Sequence, residues 1–65
     1  MNYYLEEKKR DEAKKIARKI GARAYMERGG GTIYVCDAVR GVDEVAKTWT
    51  EAVEILEEIK GWEAN

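Results

Sequence analysis

The chain has 65 residues, 38% of them charged, with a net charge of −1, one cysteine and no histidine or serine. A chain of this length forms one small domain, here residues 1–65, that buries only about 60% of its unfolded surface. These counts exclude an internal disulfide, a Ser-His-Asp triad and the common zinc sites. We therefore expect no enzyme activity, no metal and no cofactor.

The charge is divided unevenly, because residues 1–31 carry a net +4 and residues 32–65 a net −5. One interpretation is a nucleic-acid face on the first helix. The other is attraction between a basic and an acidic segment, within a monomer or across a dimer. Acidic residues interrupt the basic run, which favours the second interpretation. The basic residues concerned are Lys8, Lys9, Arg10, Lys14, Lys15, Arg18 and Lys19.

The apolar residues form no run long enough to span a membrane, and we expect no membrane partner. The first residues, MNYYLEEKKRDE, lack the apolar core of a signal peptide. A single free cysteine suits a reducing compartment. The sequence therefore predicts a cytoplasmic protein.

The first predicted element is a helix over residues 3–20. Asn2 is a suitable N-cap, and Gly21 suits the left-handed position after a helix. Apolar residues recur at helical spacing, but the stripe is weak in the first half of the helix. We expect that half, where Glu6 and Arg10 are spaced for an exposed ion pair, to project into solvent or toward a partner.

The segment ERGGGTIYVCD, residues 27–37, places three glycines before an apolar run. Glycines that cradle a phosphate lead into a helix N-terminus. These lead into residues that are β-branched or aromatic and favour a strand. The spacing therefore predicts a β-hairpin whose strands flank the glycine turn.

Residues 42–48 fit two interpretations. They can begin one long helix with Asp43 as its N-cap, or form a third, irregular strand. The capping-box pair Thr48 and Glu51 favours the strand, followed by a helix over about 49–60 that Gly61 ends. The predicted fold class is α+β, in the order α-β-β-(β)-α. Two helices would pack on a small antiparallel sheet, either a hairpin or a three-stranded meander.

Side chains alternate across a strand, and we assign Ala24, Met26, Ile33 and Val35 to the sheet face beneath the helices. Two arrangements remain open for the opposite face. In the first, one helix covers each face, and the residues there are ordinary core. Otherwise that face is open and binds a partner or a second copy. Its predicted residues are Tyr25, Tyr34, Cys36 and Ala38, edged by Arg23 and Arg28.

Five further side chains carry simple predictions. We expect Cys36 to be a small buried hydrophobic residue and Trp49 to anchor the core. We expect Asp37, Asp43 and Glu44 to be solvated turn residues rather than an acid–base pair.

Tyrosine, tryptophan and arginine are enriched at binding hot spots. The open-face arrangement therefore predicts a contact surface, with further candidates in the turn after the second strand and at the end of the last helix. The residues that we predict to contact a partner are Arg23, Tyr25, Arg28, Tyr34, Cys36, Arg40 and Trp62.

The segment TIYVCDAVRGVDEVAKTWTEAVEIL, Thr32–Leu56, resembles small phage and mobile-element accessory proteins in its strand, Asp-Gly turn, strand and Thr-aromatic-Thr-Glu-Ala helix start. The resemblance implies a non-enzymatic inhibitor that blocks a macromolecular partner, as an anti-CRISPR protein does. It equally allows an oligomeric sponge that sequesters a signalling nucleotide. We expect the inhibitor, acting as a homodimer that contacts a protein.

A designed chain without a function is a further alternative. The first helix is rich in Glu, Lys and Ala, as designed helices are. The lone Cys36 and the glycine triplet are choices that designs avoid, and they favour a natural origin.

Overall fold

The computed structural model describes residues 3–62. The chain folds as two helices and three strands, with the strands joined in one antiparallel sheet of order β1-β2-β3. This order confirms the predicted α+β class and the third strand. The elements are α1 (Tyr3–Ile20), β1 (Arg23–Met26), β2 (Ile33–Asp37), β3 (Val42–Ala46) and α2 (Trp49–Trp62).

Helix α1 ends where the sequence predicts. Gly21 takes the left-handed conformation with φ of 80°, and the Ala22 N–H donates to the Ala17 carbonyl at 2.8 Å. This contact satisfies one of the carbonyls that a helix end leaves open. The predicted cap Asn2 lies outside the described residues.

The glycine triplet forms a hairpin turn, as predicted. The Glu27 N–H donates to the Thr32 carbonyl at 2.7 Å, which closes the turn between β1 and β2. Gly29 and Gly31 have φ of 81° and 73°, in the region that side chains with a Cβ avoid. The triplet therefore reverses the chain and leads into a strand.

Helix α2 begins at the predicted capping residue and runs past its predicted end. The Thr48 hydroxyl accepts a hydrogen bond from the Glu51 N–H at 3.1 Å. Asp43 lies in β3, so the interpretation with Asp43 as N-cap is wrong. The prediction that Gly61 ends α2 is also wrong, since the helix continues to Trp62. Glycine tolerates right-handed as well as left-handed backbone, and here it stays helical.

Both helices lie on the same face of the sheet, which makes the domain two-layered. Helices α1 and α2 pack against each other, and the core forms between them and the sheet. The arrangement with one helix on each face is therefore wrong. The buried residues are Ala13, Ile16, Ala17, Ala24, Ile33, Val35, Ala46, Trp49, Ala52, Val53, Leu56 and Ile59.

Met26 does not join this core, contrary to its predicted place. Its side chain is 48% exposed, although its cross-strand partner Ile33 is buried. Met26 is the last residue of an edge strand, and the helical layer covers β1 at Ala24 but not at this corner. Alternation alone does not show where the helical layer ends.

Asp37 is buried, with 1% of its surface exposed, and is not the solvated turn residue we predicted. Its carboxylate accepts the backbone N–H groups of Val39 and Arg40 at 3.1 Å and pairs with the Arg40 guanidinium. The same guanidinium donates to the Ile20 carbonyl at 2.9 Å. This pair therefore anchors the β2–β3 turn to the end of α1. Asp43 and Glu44 are exposed as predicted, but they lie within β3.

The first half of α1 is tied to α2 rather than projecting from the domain. The Glu6 carboxylate accepts hydrogen bonds from the backbone N–H of Trp49 at 2.8 Å and from the Thr50 hydroxyl at 3.0 Å. The predicted pairing of Glu6 with Arg10 is replaced by this contact. Trp49 is buried as predicted, with the Lys14 ammonium 5.9 Å from its ring centre.

Candidate binding surface

The sheet face turned away from the helices forms the candidate binding surface, which we call the open face. Cross-strand register arranges its side chains in two rows, each with one residue from every strand. No described helix or loop covers these rows. The open face consists of Arg23, Cys36 and Asp43 in one row and Tyr25, Tyr34 and Val45 in the other.

The second row is aromatic and apolar. The rings of Tyr25 and Tyr34 stack with centres 5.5 Å apart and planes inclined by 29°. Tyr25 is 43% exposed and Val45 is 58% exposed. An uncovered sheet face is normally polar, and exposed apolar residues grouped with tyrosines are typical of contact surfaces.

Glu27 binds the hydroxyl of Tyr34, the central residue of this row. The Tyr34 hydroxyl donates to the Glu27 carboxylate at 3.2 Å. The negative charge of Glu27, partial burial and this hydrogen bond together raise the pKa of Tyr34 above its ordinary value. The hydroxyl therefore stays protonated at neutral pH and acts as a hydrogen-bond donor.

The first row is charged at both ends. Arg23 lies on β1 and Asp43 on β3, with Cys36 between them on β2. The Cys36 thiol lies 3.7 Å from the Asp43 carboxylate and is half-buried, whereas we predicted a buried hydrophobic residue. The thiol is only half-buried because its strand position faces away from the helices.

Four of the seven predicted contact residues meet on the open face: Arg23, Tyr25, Tyr34 and Cys36. The structure places the other three elsewhere. Arg28 lies in the glycine turn, Trp62 lies exposed in the last turn of α2, and Arg40 is bound to the β2–β3 turn and the end of α1.

Two residues of the open face were missed, Asp43 and Val45. The available signal was alternation along residues 42–46, which puts both on the side of Tyr34 once the third strand is accepted. Ala38, which we predicted for this face, is exposed in the turn after β2.

A second feature lies beside the open face, between α1 and the outer edge of β1. It is a groove of about 380 Å³. Three cationic side chains and one tyrosine line it together with small apolar residues. The lining residues are Lys14, Ala17, Arg18, Ala22, Arg23, Ala24 and Tyr25.

The described part of the chain offers no metal site, since no three of its cysteine, aspartate and glutamate side chains converge. Between residues 3 and 62 neither helix is long and apolar enough to cross a bilayer. The candidate chemistry is therefore that of the open face and the groove.

No protein-family model matches this chain, and no significant match is found among curated proteins or solved structures. The resemblance of residues 32–56 to phage accessory proteins stays a prediction from the sequence pattern. The function is therefore argued from the two surfaces themselves.

Proposed function

We propose that this chain is a non-enzymatic binding protein that inhibits a macromolecular partner and self-associates as a homodimer through its open face. The observation that carries the proposal is that both helices lie on one side of the sheet. The other side is left with stacked Tyr25 and Tyr34 beside exposed Val45. The free Cys36 thiol fits the cytoplasm, where disulfides are rare.

The charges of the open face favour a second copy as one occupant. Arg23 lies at the β1 edge and Asp43 at the β3 edge of the same row. A two-fold axis that lies in the contact plane and runs along β2 pairs β1 of each copy with β3 of the other. Arg23 of each copy then faces Asp43 of the other. The surface is therefore self-complementary, as a two-fold interface requires.

The size of the face limits the strength of this contact. Three strands of about five residues span roughly 14 by 16 Å. A stable interface buries about 800 Å² on each partner, which is more than the open face offers. The homodimer is therefore expected to be transient, and a larger partner that also covers the flanking turns displaces the second copy.

The experiment for self-association is sedimentation velocity over a concentration series, with two matched variants. Val45→Asp places a charge in the apolar row of the open face. Val39→Asp makes the same change in the β2–β3 turn, where Val39 is 86% exposed and outside the open face. The wild type and Val39→Asp should show a rising dimer fraction with concentration. Val45→Asp should remain monomeric with unchanged circular dichroism.

A charge exchange tests the orientation of the two copies. Arg23→Asp should abolish the dimer because it puts like charges together. Combining it with Asp43→Arg should restore the dimer. If Val45→Asp dimerises like the wild type, or the wild type stays monomeric at every concentration, the open face is not a self-association surface.

The inhibitory role is tested by site-specific photo-crosslinking in cells. A photoreactive residue replaces Tyr34 in one version of the protein and Glu58, which is exposed on α2, in the control. A partner of the open face is crosslinked from the first position only. The activity of the purified partner should then fall when the wild-type protein is added. Addition of the Val45→Asp variant should leave that activity unchanged. A partner whose activity is unchanged by the wild type contradicts the inhibitory role.

The nucleic-acid alternative has less support from the geometry. Lys9 pairs with Glu12 at 3.4 Å and Arg10 with Asp11 at 3.5 Å. Two cations of the basic run therefore have acidic neighbours, which weakens α1 as a continuous phosphate-binding surface.

A further inference from the structure

The groove between α1 and β1 is lined by three cationic side chains and no acidic one. Lys14 and Arg18 reach it from one face of α1, since they are four residues apart on the helix. Arg23 reaches it from the first position of β1. Two elements therefore supply three cationic side chains to the lining of one concave site.

These three cations have no carboxylate partner within the described part of the chain. Lys9, Arg10 and Arg40 do form ion pairs there. The Lys14 ammonium lies 5.9 Å from the centre of the Trp49 ring, and the Arg23 guanidinium lies 5.9 Å from the centre of the Tyr25 ring. Three cationic side chains that line one groove without a carboxylate partner attract an anion, and arginine is especially suited to phosphate.

The backbone of β1 adds a neutral donor to the groove. The Glu27 N–H bonds to the Thr32 carbonyl, which makes these two residues a hydrogen-bonded pair. Pairing alternates along an antiparallel ladder. The N–H of Ala24 therefore points away from β2, toward the groove that Ala24 lines. An edge-strand N–H in this position can donate to a phosphate oxygen.

Tyr25 gives the groove an aromatic wall. Its ring is 43% exposed, and the stack with Tyr34 supports it from the sheet side. An exposed tyrosine ring beside phosphate-binding cations is the combination that binds a base and its phosphate together. Inorganic phosphate has no base that could stack on this ring.

We propose that this groove binds a free nucleotide, with the phosphate held by Lys14, Arg18 and Arg23 and the base stacked on Tyr25. A volume of about 380 Å³ lies within the range of small-ligand sites and suits one nucleotide. The glycine turn has no part in this site, since none of its residues lines the groove. The site goes beyond the proposed open-face function, although both include Arg23 and Tyr25.

The test is a titration of the isotope-labelled full chain with adenosine monophosphate, followed by amide chemical shifts. Ribose 5-phosphate, adenosine and inorganic phosphate are titrated in parallel. We expect shifts centred on the residues that line the groove. The nucleotide should bind more tightly than each of its parts, and added salt should weaken its binding because exposed charges are screened.

Two arginine variants separate the groove from general charge effects. Arg18→Glu reverses a charge in the groove, away from the open face. Arg28→Glu makes the same change in the exposed glycine turn, outside the groove. Arg18→Glu should weaken nucleotide binding about tenfold or more, the effect of losing one charge-assisted contact. Arg28→Glu should weaken it by less than about threefold.

Two further variants test the base contact and its independence from the open face. Tyr25→Leu should weaken binding of the nucleotide but leave binding of ribose 5-phosphate unchanged. Val45→Asp should leave nucleotide binding unchanged even where it abolishes the dimer. The outcomes of the two proposals can therefore be told apart.

Three results would overturn the nucleotide site. The first is the absence of shifts with adenosine monophosphate. The second is equal binding of inorganic phosphate and the nucleotide, which would leave an anion site without base recognition. The third is binding of a single-stranded adenine oligonucleotide when the mononucleotide does not bind, which would assign the groove to nucleic acid.

Discussion

The carboxylate of Glu6, in the first turn of α1, accepts a hydrogen bond of 2.8 Å from the backbone N–H of Trp49 at the start of α2. It also accepts the Thr50 hydroxyl at 3.0 Å. The first N–H groups of a helix have no partner within the helix, and the N-terminus carries partial positive charge. Glu6 therefore caps a helix that begins more than forty residues later and holds the two helices together.

Glu6→Ala should destabilise the domain by about 1 kcal/mol, the usual cost of losing a helix cap. Thermal unfolding followed by circular dichroism measures the effect. Glu7→Ala is the control, because the neighbouring Glu7 side chain is exposed, and it should cost less than about 0.5 kcal/mol. Equal melting temperatures for the two variants would contradict the capping role of Glu6.

Leu56→Ala should bring the free energy of unfolding close to zero, so that a large fraction of the protein is unfolded at room temperature. Leu56 is fully buried between the layers, and such truncations cost about 2–5 kcal/mol. A core of this size supplies only about 3–5 kcal/mol in total. Amide NMR spectra should show that the variant loses the chemical-shift dispersion of the wild type. Leu5→Ala, at an exposed site on α1, should keep the native spectrum.

Gly61→Ala and Gly21→Ala should change stability in opposite directions. Gly61 is helical and a Cβ there meets nothing within 4 Å, so alanine should stabilise the domain by about 0.5–1 kcal/mol. Gly21 has φ of 80°, where a Cβ costs about 1–2 kcal/mol. Urea unfolding of both variants measures the two effects. If Gly61→Ala destabilises the domain, the result would support the sequence prediction that α2 ends at Gly61.

Asp37→Asn should destabilise the domain at neutral pH and matter less in acid. Burial alone would raise the pKa of Asp37, but hydrogen bonds from the Arg40 side chain and backbone, the Arg40 charge and the Val39 N–H outweigh it and lower the pKa. The ionised carboxylate therefore stabilises the fold above its unfolded pKa of about 3.9. That contribution is lost as the pH falls through the folded value.

Melting temperatures of wild type and Asp37→Asn across the acid range test this linkage. The asparagine keeps an oxygen that can accept the Val39 and Arg40 amides but lacks the charge that pairs with Arg40. The gap between the two melting curves should be several degrees at neutral pH and should close below the folded pKa. A gap that stays constant with pH would assign the loss to packing alone.

Local chemistry made much of the fold predictable. Gly21 marks the end of α1, the glycine triplet marks the hairpin, and Thr48 with Glu51 marks the start of α2. Each of these signals acts within a few residues of the chain. Alternation along β2 also identified the buried face correctly.

The remaining features depend on how the layers meet. Placing both helices on one face depends on the packing of α1 against α2, which no local pattern encodes. The same holds for Glu6 with Trp49 and for Arg40 with the Ile20 carbonyl. The burial of Asp37 had a local signal in Arg40, three residues later, but a lone aspartate in a turn is usually solvated.

The pairing of α1 with α2 also determines when this protein can fold during its synthesis. As α1 is made, Ala13, Ile16 and Ala17 have no partner, because Leu56 and Ile59 have yet to be translated. Strands β2 and β3 likewise stay uncovered on their core side until α2 is complete. The nascent chain therefore gains its native structure in one late step. A ribosome that stalls before α2 leaves a chain with apolar residues open to chaperones and proteases.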